Sequence, residues 1–200
     1  MLCPASAVWI SRQQTGALIF LSAVPTNASR GVPGFSFIIC RKDKLMDSSG
    51  KARSLSLDLY DQWLTMNKDG KWRFTSPTHV VLAFAKALEE LEEEGGIPAR
   101  ARRYEENNRY LIEKMAELGI RPYIEGKYQG PIITTFYYPE GSHFSFQEMY
   151  RYIKERGYAI YPGKVTDADT FRIGNIGEIY HEDMENLYNI IKEFLEADKR

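Results

Sequence analysis

Residues 158–197, YAIYPGKVTDADTFRIGNIGEIYHEDMENLYNIIKEFLEA, hold the pattern that decides the fold. Tyr158–Tyr161 and Thr170–Ile173 are short β-prone runs and predict strands. His181–Ala197 predicts a helix, because Met184, Leu187, Ile190, Ile191 and Phe194 fall on one helical face. Such a face is expected to pack on a small sheet. Arg172 sits in the second strand-like run, which opens onto the glycine-bearing turn Gly174–Gly177.

The same alternation continues toward the amino terminus. Ser145–Arg156 predicts a helix, and Pro131–Tyr138 and Arg121–Ile124 predict strands. A helix from about Ala99 to Leu118 carries Tyr104, Leu111, Ile112 and Met115 on its apolar stripe. Before it, Ser76 is placed to cap a helix whose first residue is Pro77, with Val80, Val81, Phe84, Ala87, Leu88 and Leu91 at helical spacing. Gly95-Gly96 stops that pattern, and the acidic run Glu89–Glu94 is the solvated end of the helix. Phe35–Arg41 is a β-rich run after the turn-prone Gly31–Gly34. Strands interleaved with helices give an α/β fold class. No internal repeat is visible.

The chain has 200 residues, 44% apolar and 26% charged, the composition of a soluble globular protein. A formal charge of -1 excludes nucleic acid or an anionic membrane as the main partner, since both demand a basic excess. Cys3 and Cys40 make no disulfide framework, and His79, His143 and His181 are too scattered to bind a metal. His79 is expected to pack in a first helical turn rather than to act in chemistry. A reducing cytoplasm is the expected location.

Residues 1–30 differ from the rest. They contain no Asp, Glu or Lys, and Arg12 and Arg30 are their only charges. The apolar run Gly16–Val24 is too short to span a bilayer and lacks the flanks of a signal peptide. Asn27-Ala28-Ser29 fits a glycosylation triplet, a pattern that needs a secreted context.

Four segments carry a resemblance: Gly31–Phe35 (GVPGF), Arg53–Trp63 (RSLSLDLYDQW), Lys71–His79 (KWRFTSPTH) and Tyr161–Gly177 (YPGKVTDADTFRIGNIG). In this order and spacing they resemble the 2-aminoethylphosphonate–pyruvate transaminase family, among the class V, fold-type I enzymes that use pyridoxal 5'-phosphate. The resemblance runs from Gly31 to the end of the last helix. It implies a homodimer that moves an amino group from 2-aminoethylphosphonate to pyruvate, giving phosphonoacetaldehyde and alanine. It also implies that Arg172 grips the substrate's acid group, as an always-charged guanidinium with forked donors can. By the same resemblance Thr75 reaches the cofactor phosphate of the neighbouring subunit, a role compatible with capping by Thr75 and Ser76.

One feature departs from the family pattern. The family has Ser-Ala-Asn-Lys-Cys-Ile-Gln before GVPGF, and its lysine forms the Schiff base. Here Val24–Arg30 (VPTNASR) stands instead, with Asn27 in the lysine's place and no lysine before Lys42. An amide can neither form that bond nor shuttle a proton. One possible set of codons for Val24–Arg30 is GTG CCA ACA AAT GCA TCC AGG. Read one base earlier they become AGT GCC AAC AAA TGC ATC CAG, the missing family motif. The same operation on Met1–Ile10 can give a segment beginning with the aspartate that in the family binds the pyridine nitrogen.

Residues 1–30 are therefore expected to be an aberrant, frameshifted segment, 31–103 the end of the large cofactor-binding domain, and 104–200 the small C-terminal α/β domain. Three readings of function follow. The chain is a non-catalytic remnant of a transaminase, or half of a split enzyme, or a binding or regulatory module that pairs with an intact homologue.

Overall fold

The computed structural model describes residues 20–23, 31–124, 126–140, 144–163 and 168–198. They fall into two units, Met1–Glu93 and Glu94–Arg200.

The first unit begins with β1 (Phe20–Ala23), which pairs antiparallel with β2 (Phe37–Cys40) in the register Phe20↔Cys40 to Ala23↔Phe37. A strand at Phe20–Ala23 was not foreseen in the segment read as frameshifted. Strand pairing uses backbone N–H and C=O groups, so any β-prone run can make it whatever its reading frame. The remainder of that segment, Asn27 included, lies outside the described residues. α1 (Lys42–Met46) is short, and α2 (Leu59–Asp69) was missed by the sequence reading. Its signals are local: Asp58 accepts from the Asp61 N–H at 3.1 Å, and Gly70 ends the helix at φ 75°. α3 runs over Thr78–Glu93, one residue later than expected. The Val81 N–H bonds the Pro77 carbonyl at 3.0 Å, which puts Pro77 at the cap and leaves Ser76 outside.

The second unit opens with α4 (Gly96–Glu117), longer at its start than the expected helix from Ala99. The sequence reading set the domain division after Arg103, whereas this unit begins at Glu94. Glu94 is bound by Arg100 at 2.6 Å and by Arg103 at 2.7 Å, and Arg103 also donates to the carbonyls of Gly177 and Ile179. Burial pushes the Glu94 carboxyl up, but hydrogen bonds from Arg103 and Arg100 outweigh it and hold it below the usual range.

β3 (Ile133–Tyr137), β5 (Thr170–Gly174) and β4 (Tyr161–Pro162) form an antiparallel sheet with β5 in the middle. Two expected strands shrink. Arg121–Ile124 contributes only the bridge Pro122↔Phe136, made by the Tyr123 N–H to the Thr135 carbonyl at 2.8 Å and the Tyr137 N–H to the Arg121 carbonyl at 3.0 Å. In that pairing an N–H at residue 122 would point away from β3, so the proline is tolerated there. In Tyr158–Tyr161 the Tyr158 N–H is taken by Ile153 at 3.2 Å, so pairing begins at Tyr161.

α5 (Phe146–Glu155), capped by Ser145, and α6 (His181–Asp198) join α4 around one core. Phe136, Phe171 and Ile173 from the sheet meet Leu111, Met115, Met149, Ile153 and the α6 residues there. Met184, Leu187, Ile191 and Phe194 are buried as the periodicity predicts, and Ile190 is half-buried at the edge of the stripe.

Candidate functional site

Side chains alternate across a strand, so each face of the small sheet has its own character. Thr134, Phe136, Phe171 and Ile173 point into the core. Ile133, Thr135, Tyr137, Arg172 and Tyr161 fall on the other face, where they are half-buried or exposed. Arg172 is at the centre of that row, with Thr135 opposite it on β3 and Tyr161 opposite it on β4.

The guanidinium is held at one point. Arg172 Nε donates to the Pro162 carbonyl at 3.1 Å, and its carbon lies 6.0 Å from the Tyr161 ring centre. Among the described residues no carboxylate pairs with it. The surface salt bridge that would make Arg172 ordinary is absent from the described residues.

The turn after β5 is fixed from α4. Asn175 Nδ2 donates to the carbonyls of Tyr104 and Pro131, both at 2.9 Å, and the Gly177 N–H donates to the Tyr104 hydroxyl at 3.1 Å. Asn108 donates to the Thr134 hydroxyl at 2.7 Å. These contacts hold the turn after β5 and the neighbouring strand β3, and the sequence reading did not foresee them. A cavity of about 250 Å³ lies among Ile160, Ile173, Met184 and Leu187, behind the sheet from Arg172.

Thr75 is exposed two residues ahead of the cap at Pro77, in the other unit. The Ser76 and Thr78 hydroxyls are 3.1 Å apart, so three hydroxyls gather where α3 leaves its first N–H groups unpaired within the helix. His79 is exposed in the first turn, not packed as expected, because the apolar stripe of α3 faces away from it. Among the described residues no His, Cys, Asp and Glu cluster could hold a metal, and no helix is long and apolar enough to cross a membrane.

Residues fit for pyridoxal phosphate are present at one end only. The hydroxyls before α3 suit a phosphate, but the first lysine in the chain is Lys42, and its ammonium lies 5.8 Å from the Trp63 ring centre. Lys44, Lys71 and Lys86 are paired with Asp47, Asp69 and Glu89. Asn27, where the resemblance expects the lysine, lies outside the described residues, and no step through the cofactor is derived for this chain.

Over 173 residues, 86% of its length, the chain is 55% identical to the 2-aminoethylphosphonate–pyruvate transaminase of Bacillus cereus. It is equally similar to the same enzyme of Bacillus thuringiensis (strain Al Hakam). The chain spans about half the length of these curated relatives, 47% in each case. No protein-family model matches it. Among solved structures, pyridoxamine–pyruvate aminotransferase from Mesorhizobium loti superposes with a TM-score of 0.75 at 15% identity, covering 90% of this chain and 47% of its own. Aspartate aminotransferase from Thermus thermophilus superposes at 0.72 with 24% identity, covering 90% and 49%.

Proposed function

We propose that this chain, 55% identical over 173 residues to about half of a 2-aminoethylphosphonate–pyruvate transaminase and similar in fold to about half of other aminotransferases, is a non-catalytic remnant that retains an acid-gripping arm. The whole enzyme, with pyridoxal phosphate bound, would move the amino group of 2-aminoethylphosphonate to pyruvate. Phosphonoacetaldehyde and alanine would be the products, formed by a homodimer in a reducing cytoplasm. In such an enzyme the cofactor supplies the electron sink that lets the amino group migrate.

The observation that carries the reading is Arg172, tethered at Nε on the open face of the small sheet with its terminal nitrogens unpaired among the described residues. A phosphonate or carboxylate can take both terminal nitrogens at once, and the charge assistance is worth about 1.5–3 kcal/mol. Thr75, with Ser76 and Thr78 beside it, would meet the cofactor phosphate at the mouth of α3. Asn27, in the lysine's place, cannot be the nucleophile or the general base.

The frameshift account explains that loss, and resequencing the DNA over codons 20–35 tests it. The direct test of function is the purified chain with pyridoxal phosphate, 2-aminoethylphosphonate and pyruvate. Neither turnover nor aldimine absorbance is expected, and Asn27→Lys alone should restore neither. Methylphosphonate should still bind, and Arg172→Ala should weaken that binding by about tenfold or more. Turnover by the chain alone would overturn the proposal.

A second reading, in which another chain completes this one, is favoured by the first unit's exposed apolar side chains. Leu55, Leu57 and Leu82 are 75%, 77% and 64% exposed. Co-expression with an intact homologue, followed by co-purification, distinguishes that reading from a solitary remnant.

A further inference from the structure

We infer that Gly163 is a positioning residue for Arg172, acting through the single peptide group that joins Pro162 to Gly163. The carbonyl of that peptide accepts from Arg172 Nε at 3.1 Å, and its N–H donates to the Thr170 carbonyl at 2.8 Å. One planar unit is therefore clamped at both ends by β5, two residues apart along the strand. Because the peptide is rigid, its two bonds cannot be adjusted independently. The orientation of the guanidinium follows from how closely Gly163 approaches Thr170.

That approach leaves no room for a side chain. A Cβ at Gly163 would run into Thr170 Oγ1 and would lie 2.6 Å from the Thr170 carbonyl oxygen and 2.8 Å from its carbonyl carbon. Two of these three atoms belong to the backbone of the central strand, which has no rotamer to change. Thr170 has little room to retreat, since it is 4% exposed, paired with Tyr137 of β3, and preceded by Asp169, whose carbonyl accepts from the Tyr138 N–H at 3.0 Å. Any larger residue at 163 must push the peptide away from β5. Arg172 Nε then loses its carbonyl, and the guanidinium is free to swing.

Holding Nε has a directional consequence. A guanidinium can present either its Nε edge or its two terminal nitrogens to an acid, and here the Nε edge is occupied. Arg172 is thus set to receive a phosphonate or carboxylate end-on, with Tyr161 and Thr135 on either side. This rests on the proposed acid-gripping role of Arg172, and the experiment separates the two.

The full chain, labelled with ¹⁵N-arginine, allows the Arg172 Nε–H to be followed directly by NMR during a titration with methylphosphonate. In the wild type this proton should exchange more slowly than that of free arginine. In Gly163→Ala it should exchange freely, and methylphosphonate affinity should fall several-fold toward that of Arg172→Ala. Gly130→Ala, where a Cβ meets nothing within 4 Å, should change neither. A folded Gly163→Ala with an unchanged Nε–H and unchanged affinity would overturn the inference. Should that variant fail to fold, the wild type alone decides, because a proton exchanging as in free arginine also overturns it. A held proton that Gly163→Ala releases, in a chain that binds no methylphosphonate, upholds the positioning and overturns the grip.

Discussion

The two units differ in how much each buries by itself. Among the described residues, 94–200 bury fifteen hydrophobic side chains, fourteen of them in one core, whereas 31–93 bury only Leu45 and Ala87. The first unit leaves Ile39, Leu55, Leu57, Phe74 and Leu82 more than half exposed, and the stripe of α3 buries only Ala87, with its other positions half-buried or exposed. Amphipathic patterning specifies which side chains want a partner surface. It does not supply the surface, and at about 25 cal/mol per Å² an uncovered stripe contributes little to stability. The second unit closes on itself because three helices and a sheet converge. Among the described residues the first has two paired strands and helices, with no comparable sheet to pack against.

The largest expected effect separates the units outright. Residues 94–200 expressed alone should unfold cooperatively on heating and show a near-ultraviolet circular dichroism signal, and residues 31–93 alone should show neither. A cooperative transition in the isolated first unit would break the comparison.

Core truncation sharpens it. Phe171→Ala should destabilise the second unit by about 3–5 kcal/mol, the range for emptying a large buried site. Leu57→Ala, at a side chain 77% exposed, should stay within about 0.5 kcal/mol. Denaturant unfolding measures both.

A smaller loss is expected from Glu94→Gln, which leaves Arg100, only 2% exposed, without its carboxylate. Breaking so buried a pair costs up to about 3–5 kcal/mol, and the partial exposure of Glu94 places this case near or below the lower end. The pH dependence has a definite sign. The Glu94 carboxyl is depressed in the folded chain, so its contribution is complete above the ordinary glutamate value of about 4.3. It is lost as pH falls through the depressed folded value. Melting temperatures of wild type and variant should therefore converge in acid and diverge near neutrality.

The smallest effect lies at the α2 cap. Asp58→Ala removes the acceptor for the Asp61 N–H and should cost about 1 kcal/mol. The change should show as lower helicity in the first unit, with the melting transition of the second unmoved.

Much of the second unit was legible because its signals are local and periodic. The stripe Met184–Phe194 predicted its own burial, and β3, β5, α5 and α6 were located to within one or two residues. The misreadings have physical causes of another kind. Arg121–Ile124 looked like a strand because its residues are β-prone, yet it makes a single bridge to β3. His79 was expected to pack, yet its fate depended on which face of α3 finds a partner. At the site, Arg172 and Thr75 were named from motif likeness, while Pro162 and Gly163 were given no role.

Some properties belong to the chain's chemistry before it folds. The absence of any lysine before Lys42, the guanidinium at 172 and the near-neutral charge are properties of covalent structure, and no packing can alter them. Folding decided which carbonyl holds that guanidinium, which face of the sheet stays open, and why residue 163 must lack a side chain. Arg172 meets Pro162 across ten residues, and Arg103 meets Gly177 across 74. Contacts at such separations arise from the register of strands and the docking of helices, which depend on all the packed surfaces at once and leave no local trace in the order of residues.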